Sequence, residues 1–260
     1  MSNRTDPNLP DLTGTVALIT GASGGIGAGI ASRFSASGAA VVLHYRRGRE
    51  AAEDLADQLR ADGGQAVTLG ADLTDDAACH ALMRQATDWQ GRLDTLVDNA
   101  GIQPVLPLPQ MTADAWRHML DADLTSAVSC TQAAARVMAG AGGGAVVHIA
   151  SIEGTHPAAG HAHYAAAKAA LIMHARVAAL EYGPAGIRVN AVSPGLIHRP
   201  GIEQAWPEGV RRWQAAAPLR RLGRAEDVGD ACVFLASPLA GWITGHNLVV
   251  DGGVTTHPTW

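Results

Sequence analysis

The sequence predicts an α/β domain: a mostly parallel sheet with helices on both faces. Three observations carry that expectation. Short apolar runs alternate with helical segments along most of the 260 residues, a glycine-rich turn joins the first run to the first helix, and 50 Ala and 30 Gly stand against 11 aromatic residues. Parallel neighbours need a crossover connection, which the intervening helices supply. The small-residue bias suits helices and strands that pack closely.

The elements follow in order. Residues 15–20 (TVALIT) form a short apolar run of the kind buried on both faces of a sheet. Ile26, Ile30, Ala31 and Phe34 then recur at helical spacing over 25–37, and Gly38 stops the turn. Residues 40–45 (AVVLHY) read as a second strand and 50–61 as an amphipathic helix. A third strand is expected at 65–70, a helix at 75–88 opened by Thr74 and Asp75, and a fourth strand at 93–97. Beyond a Pro-rich loop at 103–109, Thr112 caps a long helical region to about residue 139, and the fifth strand lies within GGGAVVHIAS. A helix over 163–181 ends at Gly183 and Pro184. The sixth strand spans 187–192, another helix 225–236 and a last strand 247–250. One domain over residues 12–260 is expected behind a flexible N-terminus (1–11). Residues 193–223 are too long for an ordinary connection and are expected to form a substrate lid.

Composition excludes several classes of function. The formal charge of −5 and a pI near 6.1 lack the basic footprint of a nucleic-acid or anionic-membrane binder. No apolar run approaches the ~20 residues of a membrane span, and residues 1–11 carry no signal-peptide pattern. Cys79, Cys130 and Cys232 have no paired or metal-ligand spacing. His156, His161 and His163 lack the carboxylate or cysteine partners of a metal site, so no metal is expected. A small-molecule partner and a cytoplasmic setting are the expectation.

The turn TGASGGIG (residues 20–27) lets backbone N–H groups approach a pyrophosphate at a helix N-terminus. The second strand ends in His44, Tyr45, Arg46 and Arg47, with no carboxylate at the tip. A guanidinium there suits a 2′-phosphate, so NADP(H) is preferred and NAD(H) remains possible. Ser151 follows the fifth strand, and Tyr164 and Lys168 stand i, i+4 on one helix face. An ammonium beside a phenol favours the phenolate, as general acid–base chemistry requires, and Ser151 would donate a hydrogen bond to the substrate oxygen. Lys168 is the one lysine in the chain, against 18 arginines.

TGASGGIG, DNAG (98–101), Ser151 with Tyr164-x-x-x-Lys168, and Pro194-Gly195 together resemble the short-chain dehydrogenase/reductase family over roughly residues 12–253. The texture is that of the branch holding 3-oxoacyl-acyl-carrier-protein reductases and glucose 1-dehydrogenases. The resemblance implies a Rossmann-type, doubly wound sheet of about seven strands and a homotetramer acting on a ketone or secondary alcohol. It implies that Tyr164 is the general acid/base, that Ser151 polarises the carbonyl oxygen, and that Lys168 binds the nicotinamide ribose and lowers the pKa of Tyr164. Further cofactor contacts are implied at Gly21, Ser23, Gly25, Ile26, Gly27, Tyr45, Arg46, Leu73 and Gly101. Asp72 would take the adenine amino group, Asn99 the ribose side, and Pro194, Gly195 and Ile197 the carboxamide.

Three positions depart from the family pattern. Asp98 replaces an Asn and is expected to alter a local contact. Asp123 stands where the family's helix Asn completes a catalytic tetrad; its charge would stabilise the Lys168 ammonium and oppose the phenolate. Arg199 replaces a frequent Thr and either pairs with pyrophosphate or faces solvent. Lid residues Trp206 and Trp213 either exclude water from the pocket or anchor a subunit interface. Glu153, His156 and His161 lie near Ser151 and could line the pocket. The Arg pairs at 211–212 and 220–221 either attract an acidic carrier or coenzyme A thioester or form a solvated face. The rival to an active enzyme is a catalytically weak relative that binds dinucleotide as a sensor or scaffold, a reading Asp123 favours.

Overall fold

The computed structural model describes residues 6–256. Seven parallel strands form one sheet in the order β3-β2-β1-β4-β5-β6-β7, comprising β1 (Val16–Ile19), β2 (Ala40–Tyr45), β3 (Ala66–Gly70), β4 (Thr95–Asp98), β5 (Gly144–Ile149), β6 (Ile187–Pro194) and β7 (Asn247–Val250). The order reverses between β1 and β4, the switch point outside which the strand C-termini of such sheets leave a crevice for ligands.

Helices cover both faces. One core layer packs α3 (Asp76–Gln90), α5 (Ser126–Gly140) and α6 (Ala162–Tyr182) on the sheet through Leu82, Met83, Cys130, Met138 and Ala175. The other is built around Ile30 and Phe34 of α1 (Gly25–Ala36), Leu59 of α2 (Arg49–Ala61) and Val228 and Val233 of α9 (Ala225–Ala236). Alanine at the contacts lets these helices sit close, as the composition predicts. Arg188 on β6 reaches the end of α9, where its guanidinium donates to the carbonyls of Leu235 (2.5 Å) and Ala236 (3.1 Å), a cation at a helix C-terminus.

Three differences from the sequence reading bear on the site. The helical region after Thr112 is α4 (Ala113–Leu120), a π-helical turn at Asp121–Thr125, and α5. That turn carries Asp123 into the interior, where it is 1% exposed. The sixth strand runs on to Pro194 because β7 pairs with it up to Pro194 and Val250. The segment expected as a lid contains α7 (Ile202–Ala205) and α8 (Pro207–Ala216), folded around Ile202, Val210 and Leu222. Its base is clamped by a bridge between Ile197 and Gly223, with His198 N–H donating to Gly223 O at 2.7 Å. Residues 1–5 of the N-terminal segment lie outside the described residues; Asp6 N–H bonds Ala36 O and Leu12 N–H bonds Ser37 O, tying the remainder to the end of α1.

Candidate active site

The turn between β1 and α1 is held from both sides. Thr20 Oγ1 accepts from Asn99 N–H (2.8 Å) and Ala100 N–H (2.9 Å), and the Asn99 amide donates to Thr20 O (2.9 Å) and Gly21 O (3.2 Å). The amide donors of Asn99 are thus spent on the glycine loop. On the other side His44 bridges Gly21 N–H (3.1 Å to Nδ1) and Ala71 O (3.1 Å from Nε2). These partners require the Nε2–H tautomer, and burial holds the ring pKa below its ordinary value, keeping it neutral. Neither Thr20 nor His44 was assigned a role from sequence. A histidine inside an otherwise apolar strand was the available signal for His44.

Gly24 caps α1 without a side-chain hydrogen bond, and no acidic residue occupies its first turn. Open space lies where a Cβ would project from Gly24 or Gly25, and Gly25 has φ +55°, a backbone that favours glycine. A Cβ on Gly27 would fall 2.3 Å from Gly21 O, so this residue serves close packing beneath the loop. The helix N–H groups without a side-chain cap therefore face a glycine cradle, the arrangement that takes a phosphate.

A cleft of about 460 Å³ opens there, lined by Gly21, Ser23, Ile26, Arg46, Asp72, Leu73, Asn99 and Gly101, and also by His44 and Arg47. Arg46 Nη1 stands 4.0 Å from Asp72 Oδ1. Asp72 accepts from the Thr74 hydroxyl (2.8 Å) and N–H, which together with Arg46 and Arg47 hold its carboxyl below the usual range. The Tyr45 ring lies against Gly70 on β3. Gly25, with Arg199 and Arg224, lines a neighbouring cleft of about 560 Å³ at the base of the 193–223 segment. Pro194 ends β6, Gly195 packs against Trp213 and Asp251, and Ile197 lies in the lid clamp. Trp213 thereby ties the 193–223 segment to the end of the sheet, while Trp206 lies on Gly209 and is half exposed.

Ser151, Tyr164, Lys168 and Asp123 come together at the ends of β5, α6 and the π turn. Lys168 Nζ lies 5.5 Å from the Tyr164 ring centre, donates to Ile149 O at 3.1 Å, and stands 3.1 Å from Asp123 Oδ2. That last contact is Coulombic rather than an aligned hydrogen bond, since Oδ2 has no hydrogen-bond partner. Asp123 Oδ1 accepts from Ile102 N–H at 2.8 Å. Burial pushes the Tyr164 phenol above its usual range. The Lys168 ammonium and the Ser151 hydroxyl pull it back, and the Asp123 and Glu153 charges raise it further. The family resemblance implies that Lys168 lowers this pKa; its contribution has that sign, but desolvation outweighs it.

Asp98 is fully buried. It accepts from Thr131 Oγ1 (3.3 Å) and faces His148 Nδ1 (3.1 Å), and His148 Nε2 meets His174 Nδ1 at 3.2 Å. Burial raises the Asp98 pKa despite the imidazole beside it.

A glycine cradle at a sheet switch point, with Ser151, Tyr164 and Lys168 gathered around Asp123, which abuts Gly101 of the cradle cleft, defines an NAD(P)-dependent oxidoreductase. Comparison with known proteins agrees. The family described as enoyl-(acyl carrier protein) reductase matches residues 21–255. The cis-4-hydroxycyclohexanecarboxylate dehydrogenase of Sinomonas cyclohexanicum is 43% identical over 242 residues, 92% of this chain and 96% of that one. The 3-oxoacyl-[acyl-carrier-protein] reductase of Synechocystis is 36% identical over 94% of this chain and 98% of its own. The structure of a 7α-hydroxysteroid dehydrogenase complexed with NADH and 7-oxo glycochenodeoxycholic acid superposes with a TM-score of 0.89 at 34% identity, covering 94% of this chain and 95% of that one. The chain belongs to the short-chain dehydrogenase/reductase family. Among its described residues no helix is long and apolar enough to cross a membrane.

Proposed function

We propose that the chain transfers hydride between NADP(H) and a secondary alcohol or ketone, with Tyr164 moving the proton. The observation that carries this reading is the convergence of Ser151, Tyr164 and Lys168 beside Asp123, whose carboxylate lies against Gly101 in the lining of the cradle cleft. When bound, the dinucleotide supplies or accepts the hydride. Backbone N–H groups at Ser23–Ile26 hold its phosphates, Lys168 takes the nicotinamide ribose, and the Pro194–Ile197 segment takes the carboxamide. Ser151 Oγ–H donates to the substrate oxygen. In reduction the Tyr164 hydroxyl gives that oxygen its proton; in oxidation the phenolate removes it, stabilised by Lys168.

Arg46 and Arg47 at the tip of β2 support NADP(H) over NAD(H), because a guanidinium fork matches a 2′-phosphate and neither strand-tip position offers a carboxylate. The name of the Sinomonas relative supports an alicyclic alcohol as substrate. A homotetramer in the cytoplasm, built from one domain over residues 12–260 with a lid at 193–223, completes the reading. The weak-catalyst alternative rests on one observation, the Asp123 and Glu153 charges that raise the Tyr164 phenol. NADPH consumption over a panel of ketones separates the two, with Tyr164→Phe as control. Turnover well above that control is expected, whereas NADPH binding with no turnover would establish the sensor or scaffold reading.

A further inference from the structure

Proton and hydride transfer leave one polar cluster beside Tyr164 without a task. Glu153 lies two residues after Ser151, and both its oxygens are occupied: Oε1 accepts from Gln103 Nε2 at 3.0 Å and Oε2 from His161 Nδ1 at 2.8 Å. The Glu153 and His161 side chains are 15% and 16% exposed, so the pair is held in place rather than solvated. A carboxylate only accepts, so Nδ1 carries the hydrogen, and it is the Nδ1–H tautomer whose lone pair lies on Nε2. Among the described residues Nε2 has no hydrogen-bond partner. The ring stands edge-on to Tyr164 with 6.2 Å between ring centres.

Two loops frame this cluster. Leu106 N–H donates to Gly160 O at 2.8 Å, and Val105 lies over Gly160 with 72% of its surface exposed. An apolar rim thus stands next to an oriented acceptor, a combination that takes a carbon skeleton carrying a second polar group.

Resting on the reading of Tyr164 given above, we propose that His161 is a specificity-determining residue that accepts a hydrogen bond from a second hydroxyl of the substrate. The preferred substrates are then diols and hydroxyketones. Charge decides against a carboxylate in that position. Glu153 and Asp123 are both negative and Lys168 is the single cation beside Tyr164, so a substrate carboxylate would meet repulsion and a lone pair. A hydroxyl brings the missing donor and no charge. Gln103 and Glu153 act through His161, fixing its tautomer and ring orientation.

The test compares kcat/KM, with NADP+, for cyclohexanol, the 1,2- and 1,4-cyclohexanediols and 4-hydroxycyclohexanecarboxylate. In the wild type the best diol should exceed cyclohexanol by about tenfold, the worth of one well-aligned hydrogen bond. In His161→Leu that ratio should fall to near one, mainly through KM for the diol, and His161→Gln, which keeps an acceptor oxygen, should retain part of it. Glu153→Met releases the tautomer and should lower the ratio at least threefold; if the Leu variant does not fold, an unchanged ratio in Glu153→Met overturns the proposal. A wild-type ratio near one, preference for the carboxylate, or equal loss on both substrates in His161→Leu also overturns it. Cyclohexanol turnover without diol preference removes this inference alone. Failure to oxidise any alcohol above the Tyr164→Phe background removes the reading beneath it, and this one with it.

Discussion

Replacing Asp123 by Asn removes one negative charge from the interior while keeping an oxygen for the Ile102 N–H bond. Asp123 Oδ2 lies 3.1 Å from Lys168 Nζ, and Nζ lies 5.5 Å from the Tyr164 ring centre. The carboxylate and the phenol ring are therefore within roughly 9 Å, where two unit charges at an effective dielectric near 20 repel by about 2 kcal/mol. That corresponds to about one pK unit on the phenol. Removing the charge takes away one of the charges that oppose the Lys168 attraction on the phenolate, so the Tyr164 pKa falls. In the oxidative direction the rise of kcat/KM with pH should begin about one pH unit lower in Asp123→Asn than in the wild type. The assay is alcohol oxidation with NADP+ from pH 6 to 10.5, with circular dichroism confirming the fold of both proteins. An unmoved profile would mean that Asp123 does not bear on the phenol, and a shift to higher pH would refute the electrostatic argument outright.

Other perturbations probe separate parts of the molecule. NADPH should bind at least tenfold tighter than NADH, and Arg46→Ala should abolish the difference; equal affinities in the wild type, read by fluorescence titration, would remove the 2′-phosphate assignment. His174 is held down to about 4 by burial and by the His148 ring, against about 6.5 unfolded. Its contribution to stability is therefore whole above pH 6.5 and is lost as pH falls towards 4. After discounting for partial exposure the loss is about 1–2 kcal/mol, and His174→Phe should flatten that part of the curve of Tm against pH. Gly29→Ala would set a Cβ 2.3 Å from Ala225 Cβ and 2.7 Å from its carbonyl carbon. Separating α1 from α9 should cost about 1–3 kcal/mol and lower Tm by several degrees, while a Tm within one degree of wild type would show that the contact yields freely.

The sheet was legible because its strands are apolar runs bounded by glycines and by helical segments, and the glycine cradle because its glycines crowd into one strand-to-helix turn. What escaped depends on contacts far apart in sequence. His44 gains its meaning from Gly21 and Ala71, neither of which can be paired with it by reading along the chain. The ring of Tyr45, its neighbour, lies on Gly70, its partner across the β2–β3 pair and 25 residues away in sequence. The π turn that carries Asp123 inward inserts into a helical pattern without a Pro or Gly to mark it. The short lid helices are held by only a few buried apolar residues, too weak a periodicity to read. Asp98 looked like a local variation on the family pattern; it is the first link of a buried line through His148 to His174, residues drawn from three separate elements.

The solitary lysine gives the molecule an unusual chemical simplicity. Reagents that acylate amines find no competing side-chain amine elsewhere on the chain, since its other long cations are guanidinium groups. Lys168 itself is 5% exposed, with its ammonium turned to Ile149 O and Asp123. Slow acylation of the Lys168 amine would thus report the opening of the pocket around Tyr164, with no signal from another lysine.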